Sequence, residues 1–232
     1  PNGPPASKWQ RHRPSKVMYV PDHFATDEAD ALIARLARRW AGVLVTVDAD
    51  GTPTGTHMPI LWDAEKKLAT GHIARANPQW KLGDGRGLIV LSGAEAYVTP
   101  SWYPSKQENS KTVPTWNYEA VHLSGRVEWF DDAARLEAVV RDLSAFHENN
   151  RAEPWAIGDA PRAYIDALMR GIVGVTVQVD RIEAKRKLSQ NKSEADFNGV
   201  ERGLAASGDA MEAEVAALMR ATRAMSDDPD GN

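Results

Sequence analysis

Three short stretches of this chain carry side chains suited to binding an anion, a flat ring or a proton. In the first, Thr70 to Trp80, TGHIARANPQW, a strand-like run ends in small residues and one arginine. It feeds a short helix with Asn77 as N-cap, Pro78 at the first helical position and Gly83 as the stop. Helix-start N–H groups and a guanidinium at one place suit a phosphate. An arginine before a short helix also serves as a plain surface charge, and the stretch by itself leaves both readings open. The second, Lys185 to Asn191, KRKLSQN, sets three cations beside Gln190 and Asn191. That composition fits a nucleic-acid patch, or a charge and two amides offered to a small ligand. The third, Tyr97 to Arg126, joins two strand-like runs through Pro100, Pro104 and Pro114 with Trp102, Tyr103, Trp116 and Tyr118. Proline stiffens the segment and exposed aromatics are costly, so it should wall in a ligand or cover the end of a sheet.

The histidines are ambiguous. His57 and His72 sit on runs that a short turn could make neighbours, but no third ligand stands at metal-binding spacing, and no metal site is expected. They read as satisfied sheet histidines or as polar cofactor contacts. His122 and Glu119 should point to opposite faces of one strand. There is no Gly-x-Ser-x-Gly elbow and no P-loop, and Gly83, Gly85 and Gly87 lack the spacing of a dinucleotide fingerprint and read as a turn.

Around these stretches the chain reads mostly as strands. Ala29, Leu32, Ile33, Leu36, Ala37 and Trp40 recur at helical spacing behind Thr26 as a cap. Short β runs follow: Val43–Val47, 52–63, 67–73, GLIVLSG and AEAYVTP, the first three joined by tight turns that predict an antiparallel meander. Asn117–Phe130 is long enough for a strand bent at Gly125. Asp131 should cap the next helix, and Pro161 should start another. Ile172–Ile182, with valine at every second position from 173 to 179, should be the closing strand. Two helical stretches form a C-terminal tail. Six or seven antiparallel strands with flanking helices make an α+β chain whose sheet is best satisfied by closing into a barrel. Four prolines and four cations without an acid in residues 1–16 suggest that 1–17 is a disordered or non-native extension. The barrel domain is expected at 18–191, helices packed on it at 192–226, and a frayed tail at 227–232.

Composition narrows the function classes. The 232 residues, 42% hydrophobic and 26% charged, suit an ordinary globular protein. The absence of cysteine removes disulfides, thiol nucleophiles and cysteine metal sites, and fits a reducing compartment. No apolar run has membrane-spanning length, so no membrane partner is expected and a cytoplasmic protein is. A net charge of −4 gives no global attraction for DNA.

MYVPDHF at Met18–Phe24, GHIARANPQW at Gly71–Trp80, AYVTPSWYP at Ala96–Pro104, VPTWNYEAVHLSGR at Val113–Arg126, EPWAI at Glu153–Ile157 and KLSQN at Lys187–Asn191 together resemble the PaiB family. Its members are FMN-binding transcriptional regulators on a split-barrel flavoprotein fold, and the resemblance spans approximately 18–204. It implies an FMN-binding split β-barrel, a homodimer with the flavin at the subunit interface. It places the FMN phosphate at Thr70, Arg75, Ala76 and Asn77, in a cofactor-binding block that also holds Gly71 and His72. The strand His57, Met58, Pro59, Ile60 would run along the isoalloxazine, with Trp116 and Tyr118 on the ring. Lys187, Ser189, Gln190 and Asn191 would complete the pocket, from the second subunit if need be. No second cation follows Arg75 in the phosphate block until Lys81. The implied function is a regulator working through its flavin or a small-molecule ligand. The alternatives are an FMN-dependent oxidoreductase, with His57, His72 and His122 as candidate proton donors, and a haem-binding split barrel.

Overall fold

The computed structural model describes residues 18–227; the extension expected at 1–17 and the segment 228–232 lie outside the described residues. Seven strands form one antiparallel sheet: β1 (Gly42–Val47), β2 (Pro53–Met58), β3 (Leu61–Asp63), β4 (Leu68–Ala74), β5 (Gly85–Val98), β6 (Thr115–Phe130) and β7 (Ile172–Lys187). Their order is β2-β1-β5-β6-β7-β4-β3. The two edge strands, β2 and β3, are separated in sequence only by Pro59 and Ile60. Three Cα steps span at most about 11 Å, so the sheet must roll until its edges nearly meet. Pro59 lacks the N–H to continue a ladder, and no strand pairing crosses this seam among the described residues. The result is a split barrel. The seam is tight: a Cβ on Gly71 of β4 would lie 2.5 Å from the Pro59 carbonyl oxygen.

Two expectations change here. The simple meander fails at β2–β3, which is a barrel closure between opposite edges instead of a hairpin. GLIVLSG and AEAYVTP are one 14-residue strand, β5, with a bulge between Ser92 and Glu95. Gly85 and Gly87 lie within this strand, and only Gly83, at φ 78°, makes the turn. The bend expected at Gly125 is present, where the β6–β7 register shifts and the Gln178 backbone packs on the glycine.

Alternation fills the barrel with Leu44, Ile89, Leu91, Val121, Leu123, Val127, Val175 and Val177, all fully buried. Helix α1 (Ala29–Arg39) closes one end with Leu32, Ile33 and Leu36. Each such side chain contributes about 1.5–3 kcal/mol on burial. Beneath α1, the fully buried Glu119 carboxylate of β6 takes Arg35 of α1 at 2.5 Å and Arg186 of β7 at 2.9 Å. The bulge in β5 turns Ala94, Ala96 and Val98 toward a second core, built with Leu188 and with Val200, Leu204 and Met219 of α5 (Glu194–Ala205) and α6 (Ala210–Asp227). The aromatic link between β5 and β6 carries a short helix, α2 (Ser105–Asn109), and delivers Tyr103 and Trp102 to that core. It therefore covers the end of the sheet, one of its two expected roles. Helices α3 (Ala133–Glu148) and α4 (Arg162–Met169) cover the outer face of β4 and β7 through Leu136, Ile165 and Met169.

Candidate functional site

The Thr70–Trp80 block ends β4 and enters a 3-10 turn, Pro78–Leu82. Asn77 caps it as the sequence predicts, accepting from Gln79 N at 3.0 Å, while its amide donates to Thr56 Oγ1 at 2.8 Å. Gln79 then enters the barrel mouth and donates to Leu44 O, Thr46 Oγ1 and Thr54 O. The side chains of Asn77 and Gln79 thus hold the barrel wall, and Ala76 is exposed beside them. Arg75 does not stand free. Its Nε donates to Arg170 O at 2.9 Å and its Nη2 to Ile172 O at 3.2 Å, around the C-terminus of α4. Its Nη1 lies 3.4 Å from Asp131. Asp131 is available for this because Asp132, one residue later than expected, caps α3 by accepting from Arg135 N.

Thr70 and His72 alternate with the core residues Ala69, Gly71 and Ile73, so they face outward beneath the helices. His72 lines an apolar cavity of about 630 Å³ with Trp155, Tyr164, Ile165, Leu168 and Ile172. Its Nδ1 is shielded and has no hydrogen-bond partner among the described residues. Burial pushes this imidazole below its ordinary pKa, so it is held neutral with one donor and one acceptor. Thr70 lines a separate cavity of about 390 Å³ between β3–β4 and α3.

The second group lies elsewhere. Tyr118 pairs with Lys187, whereas Thr70 pairs with Thr176, eleven residues back along β7. At about 3.3 Å per residue that is roughly 36 Å of strand path, too far for one mononucleotide to touch both groups within a protomer. Trp116 is half exposed and meets Tyr97 edge-on at 6.0 Å. Lys187 Nζ donates to Thr115 Oγ1 and to the Trp116 carbonyl. Burial first, then Lys185 and Lys192, push its pKa below the ordinary lysine value. Ser189, at φ 66°, is buried and exchanges hydrogen bonds with Asn117 at 3.0 and 3.1 Å. Gln190 turns back on its own chain, donating to Arg186 O and accepting from Leu188 N. Asn191 is exposed.

His57–Ile60 contributes one outward residue. Met58 and Ile60 are in the core, Pro59 sits at the seam, and His57 is exposed on β2. Strand registers place His57, Val43, Val90, His122 and Glu183 in one row across five strands. Paired residues share a face, so this row and the next, with Val45 and Leu88, form an outer sheet surface. Val43, Val45, Leu88 and Val90 are only half-buried there, Val47 is 56% exposed, and the described helices pack elsewhere. The sequence did not bring His57 and His122 together, because their strands are joined only through β1 and β5. His72, expected beside His57, lies instead under α3 and α4. His122 Nδ1 is also shielded and unpartnered, and burial lowers its pKa against an opposing pull from Glu183. Among the described residues no group of three acidic or histidine side chains could hold a metal, and no helix is long and apolar enough to cross a membrane.

FMN requires a cation or N–H groups for its phosphate, an apolar flat surface for its ring and polar groups for its edge. Arg75, the outer sheet face with the aromatic residues at its end, and the unpartnered Nδ1 of His122 are of these types, but one protomer does not bring them to a single place. The antiparallel split barrel is a fold that a flavin- and haem-binding protein also adopts. A family model described as "Putative FMN-binding domain" matches residues 18–181. The chain is 32% identical over 187 residues, 79% of its length and 87% of the relative's, to the protease synthase and sporulation protein PAI 2 of Bacillus subtilis. It therefore belongs to this FMN-binding-domain family, the PaiB family. An uncharacterized protein of Aspergillus fumigatus is 35% identical over 57% of this chain and 64% of its own. The FAD and heme binding protein of Mycobacterium smegmatis shares the fold at 14% identity, with a TM-score of 0.51 over 72% of this chain and 76% of its own.

Proposed function

We propose that the protein is a homodimeric FMN-binding regulator of the PaiB type. The observation that carries this is the apolar outer face of β1, β2 and β5, which no described helix covers, in a chain of an FMN-binding family. At one end of the sheet lies the Thr70–Asn77 block, and at the other Trp116, Tyr118 and Lys187. Apolar sheet surface of this kind normally marks an interface. A two-fold dimer on it reconciles the separation along β7: the phosphate is held by the Thr70–Asn77 block, and the pocket is completed by Trp116, Tyr118 and Lys187 of the partner subunit. FMN, when bound, supplies reversible electron transfer. The chain's own residues bind and orient it, and Arg75 exchanges its weakest contact, to Asp131, for phosphate. Regulation through the flavin or ligand state is supported by the likeness to the sporulation protein. Direct DNA binding is not part of the proposal, since the net charge of −4 offers no attraction.

Visible absorption of purified protein, with FMN added and free flavin then removed by filtration, tests the reading. Retention near one flavin per chain supports it, and a colourless protein at high FMN overturns it. A second reading, an FMN-dependent oxidoreductase, is favoured by His57 and His122 sharing the outer face, where either can hold a proton for a bound ring. NAD(P)H turnover with FMN, lost in His57→Gln or His122→Gln, would establish it. The neutral, unpartnered His72 in its apolar cavity favours a third, haem ligation, which requires a Soret band with hemin that His72→Ala abolishes.

A further inference from the structure

The apolar cavity of about 630 Å³ that His72 lines opens between β4, α3, α4 and the link joining those two helices. Ile165 and Met169 of α4 form a buried wall, while Trp155, Tyr164 and Leu168 stand at the rim, 41%, 59% and 53% exposed. The rim is held from behind. Trp155 N donates to Glu148 Oε2 at the end of α3 at 3.1 Å, and Arg151 Nε donates to the same carboxyl group at 3.1 Å. The link is thus anchored by backbone and charge, and the Trp155 ring is left to the cavity. Aromatic surface held out of a core in this way is costly to leave wet. None of the described residues that line the cavity carries a charge, with His72 neutral. A carboxylate or phosphate would lose its water there without gaining a partner, so the space favours an uncharged molecule. Neither nitrogen of the His72 ring has a hydrogen-bond partner among the described residues, and Nδ1 is sealed from solvent, which leaves Nε2 for a ligand. A neutral imidazole presents either a donor or an acceptor at Nε2, and a hydroxyl can pair with both.

We infer that this cavity binds an uncharged, flat aromatic molecule bearing a hydroxyl group, at a site separate from the flavin. Trp155 and Tyr164 cover its ring, Ile165 and Met169 back it, and His72 Nε2 hydrogen-bonds the hydroxyl. His72, which the family resemblance places in the cofactor-binding block, is here the one polar group of an apolar pocket. The inference goes beyond the flavin reading and does not need it, so either can fail alone. Haem ligation claims the same imidazole, and the two are exclusive.

Equilibrium dialysis of the full chain against 2-naphthol, naphthalene and 2-naphthoate in turn, with and without saturating FMN, tests this. The naphthol should saturate at one per chain and be unaffected by FMN. It should bind roughly three- to tenfold more tightly than naphthalene, the effect of one hydrogen bond, and at least about tenfold more tightly than the naphthoate, whose charge finds no partner. His72→Phe should erase the preference for naphthol over naphthalene while keeping the ring site. Leu168→Asp, at an exposed position of α4 where the fold tolerates a carboxylate, should weaken both by at least about tenfold, with circular dichroism unchanged. That variant keeps the test decisive if His72→Phe disturbs the packing of β4. The inference is overturned if the naphthol does not saturate, if Leu168→Asp binds as well as the parent, if His72→Phe keeps the preference, or if FMN displaces the naphthol. A hemin Soret band that the naphthol cannot displace would give the cavity to haem, and a stoichiometry that falls as protein concentration rises would give it to a second copy of the chain; either overturns it.

Discussion

If Arg75 holds the FMN phosphate, replacing it by alanine should separate two effects that share one guanidinium. In the structure that group braces the end of α4 through Arg170 O and Ile172 O and faces Asp131 at 3.4 Å. A charge-assisted hydrogen bond contributes about 1.5–3 kcal/mol, but the side chain is 36% exposed, so screening reduces the stability loss to about 1–2 kcal/mol. Loss of the phosphate contact should cost about 1.5–3 kcal/mol, a roughly 10- to 150-fold weaker Kd for FMN. Asp131→Asn removes the competing carboxylate and should tighten FMN by about 0.3–1 kcal/mol, with no such gain in the Arg75→Ala background. Flavin fluorescence quenching gives the four Kd values, and urea unfolding without FMN gives the stabilities. Unchanged FMN affinity in Arg75→Ala, alongside the expected stability loss, would reduce Arg75 to a brace for α4 and refute the phosphate assignment.

Glu119→Gln should destabilise by about 3 kcal/mol, since it leaves Arg35 and Arg186 without their fully buried partner; a urea midpoint equal to the parent's would contradict this. Gly71→Ala should lose about 1–3 kcal/mol, because its Cβ meets the Pro59 carbonyl at the barrel seam, and thermal unfolding reads it. Val90→Glu should convert a dimer to a monomer in sedimentation velocity while leaving the circular dichroism intact; a monomeric parent would remove the dimer proposal. His72 has a folded-state pKa lowered by burial, so the unfolded chain takes up its proton first. Its stability contribution is intact above the unfolded value near 6.5 and is lost as pH falls from there toward the lowered folded value. His72→Phe should flatten stability below about pH 6.5, and His122→Phe should do the same for the other buried imidazole. A pH slope unchanged in both would show that neither histidine is held neutral.

Much of this protein is legible in local sequence patterns. Period-two valines from 173 to 179, the apolar stripe of α1 and the Asn77–Pro78 helix start are local patterns, and each forms where the local chemistry puts it. The family blocks also carried the split-barrel class. What the sequence could not decide was which strands become neighbours. Pro59 looks like an interruption in one strand, yet it is the point where the chain passes between opposite edges of the sheet, which follows only from the pairing of β1 with β5 and β4 with β7. The same long-range pairing sends His72 under α3 and α4, while His57 joins His122 on the outer face. Arg75 shows the limit most clearly. Its neighbours in sequence suggest a phosphate, but its guanidinium meets Asp131, just ahead of α3, and the carbonyls of Arg170 and Ile172 where α4 gives way to β7, all more than fifty residues later in the chain. Side-chain type and spacing set what each residue can do, and packing between distant segments sets what it is next to.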